Sequence, residues 1–464
     1  HGVQFWCVKH LLHRRSKQKS DGISPFEALC TSLGGTLGVG NLAGVASALT
    51  LGGPGAIFWM LVAAFLGMAT KYSELLLAVK YREHRPEPLG GPMVYLSRGA
   101  HLPALAHLFA FCCIFSAIGT GAAAQGSAIT EALAPLVHIS RPLIALIVCL
   151  LLLPVLYGGS ALIAQVSSVL VPLMTGSYLV IGGLVIALHA DQIPSALSAI
   201  VSGALEPLAC GGGLLGLVTA RTISDGFSKG IFSNEAGMGS APIAHGSSDS
   251  NSPCETGMLG AVEVFVDTCV VCLLTALVLL TTGAWQSGAD GLAMTTRAFA
   301  TVLGDFAPWF IGVTVVFLAV STILGWSFYG LSCLKWLHVP NRFVRIYPLL
   351  IVCSAALSGY LPLTPLLLVT DISAACMSFP NLIGLWTLSG EISKETRQFL
   401  QNTKSSVEYA AFLIVFNPSS GDGGTGSWCR PACLPADPRI FQFQTQHRKL
   451  LSPQHGSGFL SSLR

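Results

Sequence analysis

Charge is what this sequence most lacks. Of its 464 residues only 10% are Asp, Glu, Lys or Arg, where a soluble globular domain carries about 25%. Together with a hydrophobic content of 52%, that scarcity excludes an ordinary soluble domain, and no nucleic-acid partner is expected. Spaced metal ligands are lacking too. There are 14 cysteines, but Cys112, Cys113, Cys269 and Cys272 fall inside apolar stretches, where they read as small buried side chains, and Cys429 and Cys433 have no partners at ligand spacing. No Ser/His/Asp set stands at membrane depth, and His245 stands alone just beyond an apolar span. No enzyme and no cofactor are therefore expected. Nothing in residues 1–20 resembles a cleavable signal.

Long apolar runs fill the space that charge leaves. Spans of about 17–25 apolar residues bounded by charge, Pro or Gly mark membrane helices. About ten are found, near 24–50, 54–80, 103–133, 142–158, 162–190, 212–248, 256–284, 307–336, 344–360 and 363–389. With alternating connections, one side receives Lys9, Arg14, Arg15, Lys17, Lys19, Lys80, Arg82, Arg85, Arg98, Lys335, Arg342, Arg345, Lys394, Arg397 and Lys404. The other side has chiefly Arg141 and Arg297, with Arg221 and Lys229 near the start of the sixth span. The basic side reads as cytoplasmic, so the 9–19 segment is a cytoplasmic lead-in within 1–20 and the chain is a multi-pass protein of the plasma (inner) membrane. From about 405 to 464 the sequence loses any periodic apolar face and reads as a disordered tail, leaving 21–395 as the transmembrane domain.

Two spans are interrupted. Gly34 to Gly44 places five glycines, Thr36 and Asn41 inside the first, and Gly230 to Pro242 does the same to the sixth with Phe232, Ser233, Asn234, Glu235 and Ser240. Glycine costs roughly 1 kcal/mol in a helix interior, so each segment predicts a helix that opens partway. Freed backbone groups in lipid need partners, and a binding cavity supplies them. Five spans separate the two breaks, so the second set enters the membrane from the opposite face, which is the requirement for an inverted repeat of about 21–190 and 212–390. The expected fold is all-α and polytopic, with two inverted five-helix repeats whose first helices are discontinuous.

Chemistry is sought at these breaks. Carbonyls from Gly35 to Val39 could coordinate a small cation, and the N–H groups near Asn41 could hold a carboxylate. Thr36, Gly38, Gly40 and Asn41 are the candidates here, against a reading in which the glycines serve only close helix packing. In the sixth break Phe232, Ser233 and Asn234 could receive substrate, and Glu235 is a gate or the cap of the half-helix starting at Gly237. In the eighth span Ser321 and Thr322 suit Na⁺, a hard cation, unless they only bond back to the preceding turn, while Trp326 offers a flat apolar wall. Gln125, among small residues in the third span, could reach a ligand or bond a neighbouring helix. Glu263 and Asp267, four apart in the seventh span, and Asp371 in the tenth are intramembrane acids and so candidates for coupling.

These motifs resemble the alanine or glycine:cation symporter family of the amino acid-polyamine-organocation superfamily. The resemblance rests on Gly35-Thr-Leu-Gly-Val-Gly-Asn-Leu-Ala-Gly-Val45, Leu51-Gly-Gly-Pro-Gly-Ala-Ile-Phe-Trp59, Phe232 to Ala241, Gly90-Gly-Pro-Met-Val-Tyr95, Val264 to Thr268, Thr322 to Gly330 and Pro380-Asn381. It implies symport of sodium with a small neutral amino acid, alanine or glycine, by alternating access. By matching position it implies that the two breaks hold substrate, that Gln125 and Trp326 line its pocket, and that Thr36, Val39, Ser321 and Thr322 surround the sodium ion. Three departures stand out. Val39 replaces a family Thr, the chain begins after a further helix carried by the family, and the tail past 405 has no counterpart. A channel-like passive permease or an inactive truncated member is the alternative, although the spans lack the continuous polar stripe that a channel needs.

Overall fold

The computed structural model describes residues 22–84, 87–209, 214–360 and 363–416. The basic 9–19 segment, the Asp371 side chain and the tail past 416 lie outside the described residues. The chain divides into two compact units, 1–402 and 403–464, and every side-chain contact described below lies within the first.

The first span is two helices, α1 (Pro25–Thr36) and α2 (Ala43–Gly52), joined by a short turn at Val39–Asn41. Ser24 and Glu27 start α1 with a reciprocal capping box, the Ser24 N–H donating to Glu27 Oε2 at 2.8 Å and the Glu27 N–H to Ser24 Oγ at 3.2 Å, behind a proline at the first helical position. The second span is α3 (Gly55–Lys80). A two-stranded hairpin, β1 (Glu83–His84) and β2 (Pro88–Leu89), and a short α4 (Pro92–Arg98) lead to the third. That span is α5 (Pro103–Ile118) and α6 (Ala124–Val137) joined by a π-helical segment at Gly119–Ala123. The fourth and fifth are α7 (Arg141–Tyr157) and α8 (Gly159–Leu188). An additional helix, α9 (Ile193–Ala209), joins the halves.

The second half repeats the order. Its broken helix is α10 (Leu214–Asn234) and α11 (Ala241–Gly246). Next come α12 (Pro253–Val264) and α13 (Leu273–Thr281), with a π-helical segment at Phe265–Cys272 between them. A connecting helix, α14 (Gly291–Leu303), stands where α4 stands in the first half. It is followed by α15 (Ala307–Trp336), α16 (Asn341–Leu357) and α17 (Leu363–Thr387). The last described helix, α18 (Ser389–Phe416), runs past residue 405, where the composition changes.

Among the described residues five segments are each long and apolar enough to cross a bilayer, within 55–80, 103–137, 159–188, 253–281 and 291–336, and the bent pair 372–387 and 389–402 makes a sixth if it is one span. The first span falls short because its break leaves two helices of 12 and 10 residues, and α10 of the sixth, though 21 residues long, carries Arg221, Asp225 and Lys229. Apolar side chains that elsewhere would be a liability are exposed along the spans, among them Phe65, Phe111, Leu151, Val169, Val180 and Trp386, as lipid contact requires.

The basic residues gather at one end of the bundle. Lys80 at the close of α3 pairs with Glu391 at 2.8 Å and Glu395 at 3.0 Å in α18, and the ammonium beside Glu391 holds that exposed carboxyl below its ordinary range. Lys335 at the end of α15 reaches Glu87 by the hairpin at 2.5 Å. Arg82 donates to the Ser248 carbonyl at 2.6 Å, just past α11. A cavity of about 540 Å³ lies at this end between the start of α1, the hairpin and the end of α15, with Ile23, Ser247, Phe328 and Ser332 among its walls.

Candidate functional site

The glycine-rich stretch does open the first helix. The Leu37 N–H still bonds the Leu33 carbonyl at 2.7 Å, but the Gly38 N–H turns to the Thr36 carbonyl at 2.9 Å and to Asn41 Oδ1 at 3.1 Å. Asn41 is the hinge pin of this break. While its oxygen accepts from Gly38, its Nδ2 donates to Asp267 Oδ1 at 2.6 Å and to Ser233 Oγ at 3.3 Å and lies 3.2 Å from Cys272 Sγ. One side chain thus joins the first, sixth and seventh spans. Thr36 spends its proton on the Ser32 carbonyl one turn back, at 2.8 Å.

The sixth break is made by three successive left-handed positions, Glu235 (φ 54°), Gly237 (φ 91°) and Gly239 (φ 80°). Glycine adopts such angles at no steric cost and Glu235 does not, which marks a held conformation. Glu235 accepts a short hydrogen bond from Ser240 Oγ, so it spans the gap toward α11. Ser233 Oγ donates to Asp267 Oδ2 at 2.8 Å, and Thr268 Oγ1 donates to the same oxygen at 2.9 Å. Asp267 is completely buried and is surrounded by neutral donors from three spans. The π-helical segment Phe265–Cys272 is what turns Asp267, Thr268 and Cys272 together toward the breaks. Asn234 is tied in as well, its Nδ2 to Thr268 Oγ1 at 3.3 Å.

Two further spans reach the first break. Thr322 Oγ1 donates to the Gly34 carbonyl across helices at 3.1 Å and to the Leu318 carbonyl in its own helix at 3.0 Å. Ser321 Oγ donates to the Leu318 carbonyl at 2.8 Å and lies 3.4 Å from Met174 Sδ. The back-bonding and the cross-helix contact therefore coexist. In the third span the π-helical segment re-aims α6, so that the Gln125 amide faces Gly38, at 3.8 Å from where a Gly38 side chain would begin. Its Nε2 has a long 3.5 Å contact to the Thr120 carbonyl, while its buried Oε1 has no protein partner. Phe232 lies over Gly40. Trp326 is fully buried, packed on Gly121 and edge-on to Tyr329 at 5.7 Å, and its side chain interacts with the Glu235 carboxyl of the sixth break.

The residues singled out in the sequence thus converge from the first, third, sixth, seventh and eighth spans. Glu263 stands apart from the breaks' centre, accepting from Ser32 Oγ of α1 at 2.8 Å and lying 2.5 Å from His245 Nε2 of α11. His245 is accordingly not alone, as the sequence reading had it, but part of a buried contact with the seventh span. Lys71 and Glu74 of α3, both fully buried, escaped the sequence reading altogether. Lys71 Nζ donates to the Asn234 carbonyl at 2.9 Å and lies 4.0 Å from Glu263 Oε2. Glu74 Oε1 accepts from the Gly239 N–H at 3.1 Å and from Asn381 Nδ2 at 2.5 Å. The rule that flagged Glu263 and Asp267, an ionisable group inside an apolar span, applies equally to this pair.

Two inverted halves with facing breaks, lined by polar side chains and closed around them, define a secondary active transporter. The fold is that of solved carriers. A Na⁺-coupled sialic acid symporter aligns with a TM-score of 0.55 at 14% identity, over 83% of this chain and 86% of that one. MhsT in complex with L-phenylalanine aligns with a TM-score of 0.55 at 13% identity, over 80% and 89%.

Sequence comparison is more specific. The family model described as the sodium:alanine symporter family matches residues 2–412, and the chain belongs to that family. It is 35% identical over 416 residues to the sodium/alanine symporter AgcS of Methanococcus maripaludis, covering 87% of this chain and 90% of that one. It is 41% identical over 398 residues to an uncharacterized transporter of Haemophilus influenzae, covering 85% and 87%. The protein is therefore an integral membrane transporter of a cation-coupled amino-acid symporter family and not an enzyme.

Proposed function

We propose that this protein couples sodium entry to uptake of a small neutral amino acid, alanine or glycine, by alternating access across the plasma membrane, with its basic end cytoplasmic. The observation that supports this reading is the meeting of the two breaks around Gly38, which the Gln125 amide, with its unpartnered Oε1, and the Thr322 hydroxyl both approach.

Gln125, Asn41, Ser233 and Asn234, with the backbone of Gly38 and Gly40, receive the zwitterion's charged ends. Phe232 and Trp326 wall off its side chain, and the close packing there favours a small one. Sodium sits at the end of α1, where the Gly34 and Val39 carbonyls, the Thr36 and Ser321 hydroxyls and Thr322 supply hard oxygen donors. A specific observation also favours Asp267 as an ion partner. It is a buried carboxyl whose hydrogen bonds from Asn41, Ser233 and Thr268 all come from neutral donors, and a cation beside it would offset the cost of burying its charge.

Coupling follows if sodium favours the conformation that accepts the amino acid, since a ligand shifts an equilibrium only by its differential affinity. Glu235 and Glu263, each bonded to α11 or the residue before it, tie the sixth helix's second half to this cycle. The experiment is radiolabelled alanine uptake into proteoliposomes under an inward sodium gradient, with a panel of competing amino acids. Accumulation above equilibrium that collapses when K⁺ replaces Na⁺ is expected. Uptake indifferent to that replacement refutes the coupling, and uptake that never exceeds equilibrium makes the protein a passive permease.

A further inference from the structure

The sixth break is held from outside by one turn of the second span. Lys71 and Glu74 are three residues apart on α3, so they project from the same face, and both are completely buried. Lys71 Nζ donates to the carbonyl of Asn234, the last residue of α10, at 2.9 Å. Glu74 Oε1 accepts the N–H of Gly239, near the far end of the gap, at 3.1 Å. The cation thus meets the carbonyl end of a long helix, where negative partial charge collects, and the carboxyl meets a backbone donor on the far side. Between these two anchors lie only residues 235–238, including the left-handed Glu235 and Gly237.

Other groups brace the clamp. Asn381 of α17 donates to Glu74 Oε1 at 2.5 Å and to the Gly237 carbonyl at 2.9 Å, and its Oδ1 accepts from Tyr95 Oη of α4. Glu263 of the seventh span stands 4.0 Å from the Lys71 ammonium. Charged groups buried this way cost several kcal/mol each unless they are bonded, so their presence calls for a role that apolar packing could not fill.

We infer that Lys71 and Glu74 are positioning residues for the substrate half-site on the sixth helix: an ammonium and a carboxyl that hold the backbone at the start of the break and near its far end and set where Ser233 and Asn234 stand. Neither residue touches the substrate. Because the lip at Asn234 already has its own cation, the diffusible sodium ion belongs at the first break, and losing the clamp weakens amino-acid recognition more than ion binding. The functional half of this inference rests on the transport reading above; the structural half does not.

The test has two arms on the purified full-length protein. Hydrogen–deuterium exchange without substrate reads the clamp directly. Lys71→Met is expected to speed exchange of the amides across the break on the order of tenfold and Glu74→Gln at least about threefold, because a charged hydrogen bond is lost or weakened. Lys71→Arg keeps the charge and restores most of the protection.

Uptake into proteoliposomes reads the consequence. In Lys71→Met the KM for alanine rises about tenfold while the sodium half-saturation moves less than about twofold, a split that a general loss of packing does not produce. Exchange within about twofold of wild type in both variants overturns the clamp, and alanine and sodium constants rising together overturn its assignment to substrate. If Lys71→Met fails to fold, Glu74→Gln decides by the same two readouts. If the wild type takes up no alanine under a sodium gradient, the transport reading falls and the exchange arm alone decides the clamp.

Discussion

Replacing Gly325 with alanine tests how closely the first and eighth spans must approach to build the proposed ion site. A methyl group placed there falls 2.7 Å from the Gly35 nitrogen, 2.8 Å from the Gly35 Cα and 2.9 Å from the Thr31 carbonyl oxygen. All three are backbone atoms of α1, so no side chain can swing aside. Ordinary contact begins near 3.4 Å, which requires the helices to part by about 0.6 Å. Added to the 3.1 Å between Thr322 Oγ1 and the Gly34 carbonyl, that movement opens the contact to roughly 3.7 Å, beyond a hydrogen bond.

Overpacking of this kind costs about 1–3 kcal/mol. If about 1.4 kcal/mol of it falls on the ion-bound state, sodium half-saturation rises about tenfold. The assay is alanine uptake into proteoliposomes at fixed alanine and varied sodium. Gly176→Ala is the control, at a helical glycine with nothing within 4 Å of the added methyl. A Gly325→Ala protein that purifies normally and keeps the wild-type sodium dependence within about twofold would refute both the packing argument and the placement of sodium at this contact.

Two further substitutions separate ion from substrate at the first break. Val39→Thr supplies a hydroxyl in nearly the same shape, and is expected to lower sodium or alanine half-saturation about threefold in the same uptake assay; no change in either limits this position to its backbone carbonyl. Gln125→Ala removes the amide that faces Gly38 and is expected to raise the KM for alanine about tenfold, a hydrogen bond to a charged ligand being worth about 1.5–3 kcal/mol. An unchanged KM takes Gln125 out of the pocket.

The breaks were legible in the sequence because glycine acts locally. Clusters at Gly34–Gly44 and Gly230–Pro242 weaken a helix wherever it is placed, and the observed interruptions at 37–42 and 235–240 fall inside them. The convergence on Asp267 was not legible at the same level. It joins Asn41 to a residue 226 positions away, and the π-helical segment that aims it leaves no periodicity in the sequence. Of the connecting helices, α14, with 13 residues, falls below the length of a span, while the 17 residues of α9 are punctuated by Ser, Gly, Glu and Pro that break up its apolar run. Lys71 and Glu74 were overlooked because the second span was read as a hydropathic block, and a lysine and a glutamate one turn apart barely dent the average of 26 residues. His245 gave no local sign of its partner, which lies 18 positions on in another helix.

Inversion exchanges the second span with the seventh, and the structure shows what that exchange preserves and what it alters. As α3 carries Lys71 and Glu74 to the sixth break, so the seventh span carries Glu263 to Ser32 in α1 and Asp267 to Asn41 inside the first break. The architecture of the grip is inherited by both halves, but its charges are not: one is a zwitterion, the other two acids. A carrier built from interchangeable halves would face in and out with equal ease and would idle without preference. Here the side chains carried to the two breaks differ in charge, so the two halves are not electrically interchangeable and an exact in–out symmetry is not built into the fold.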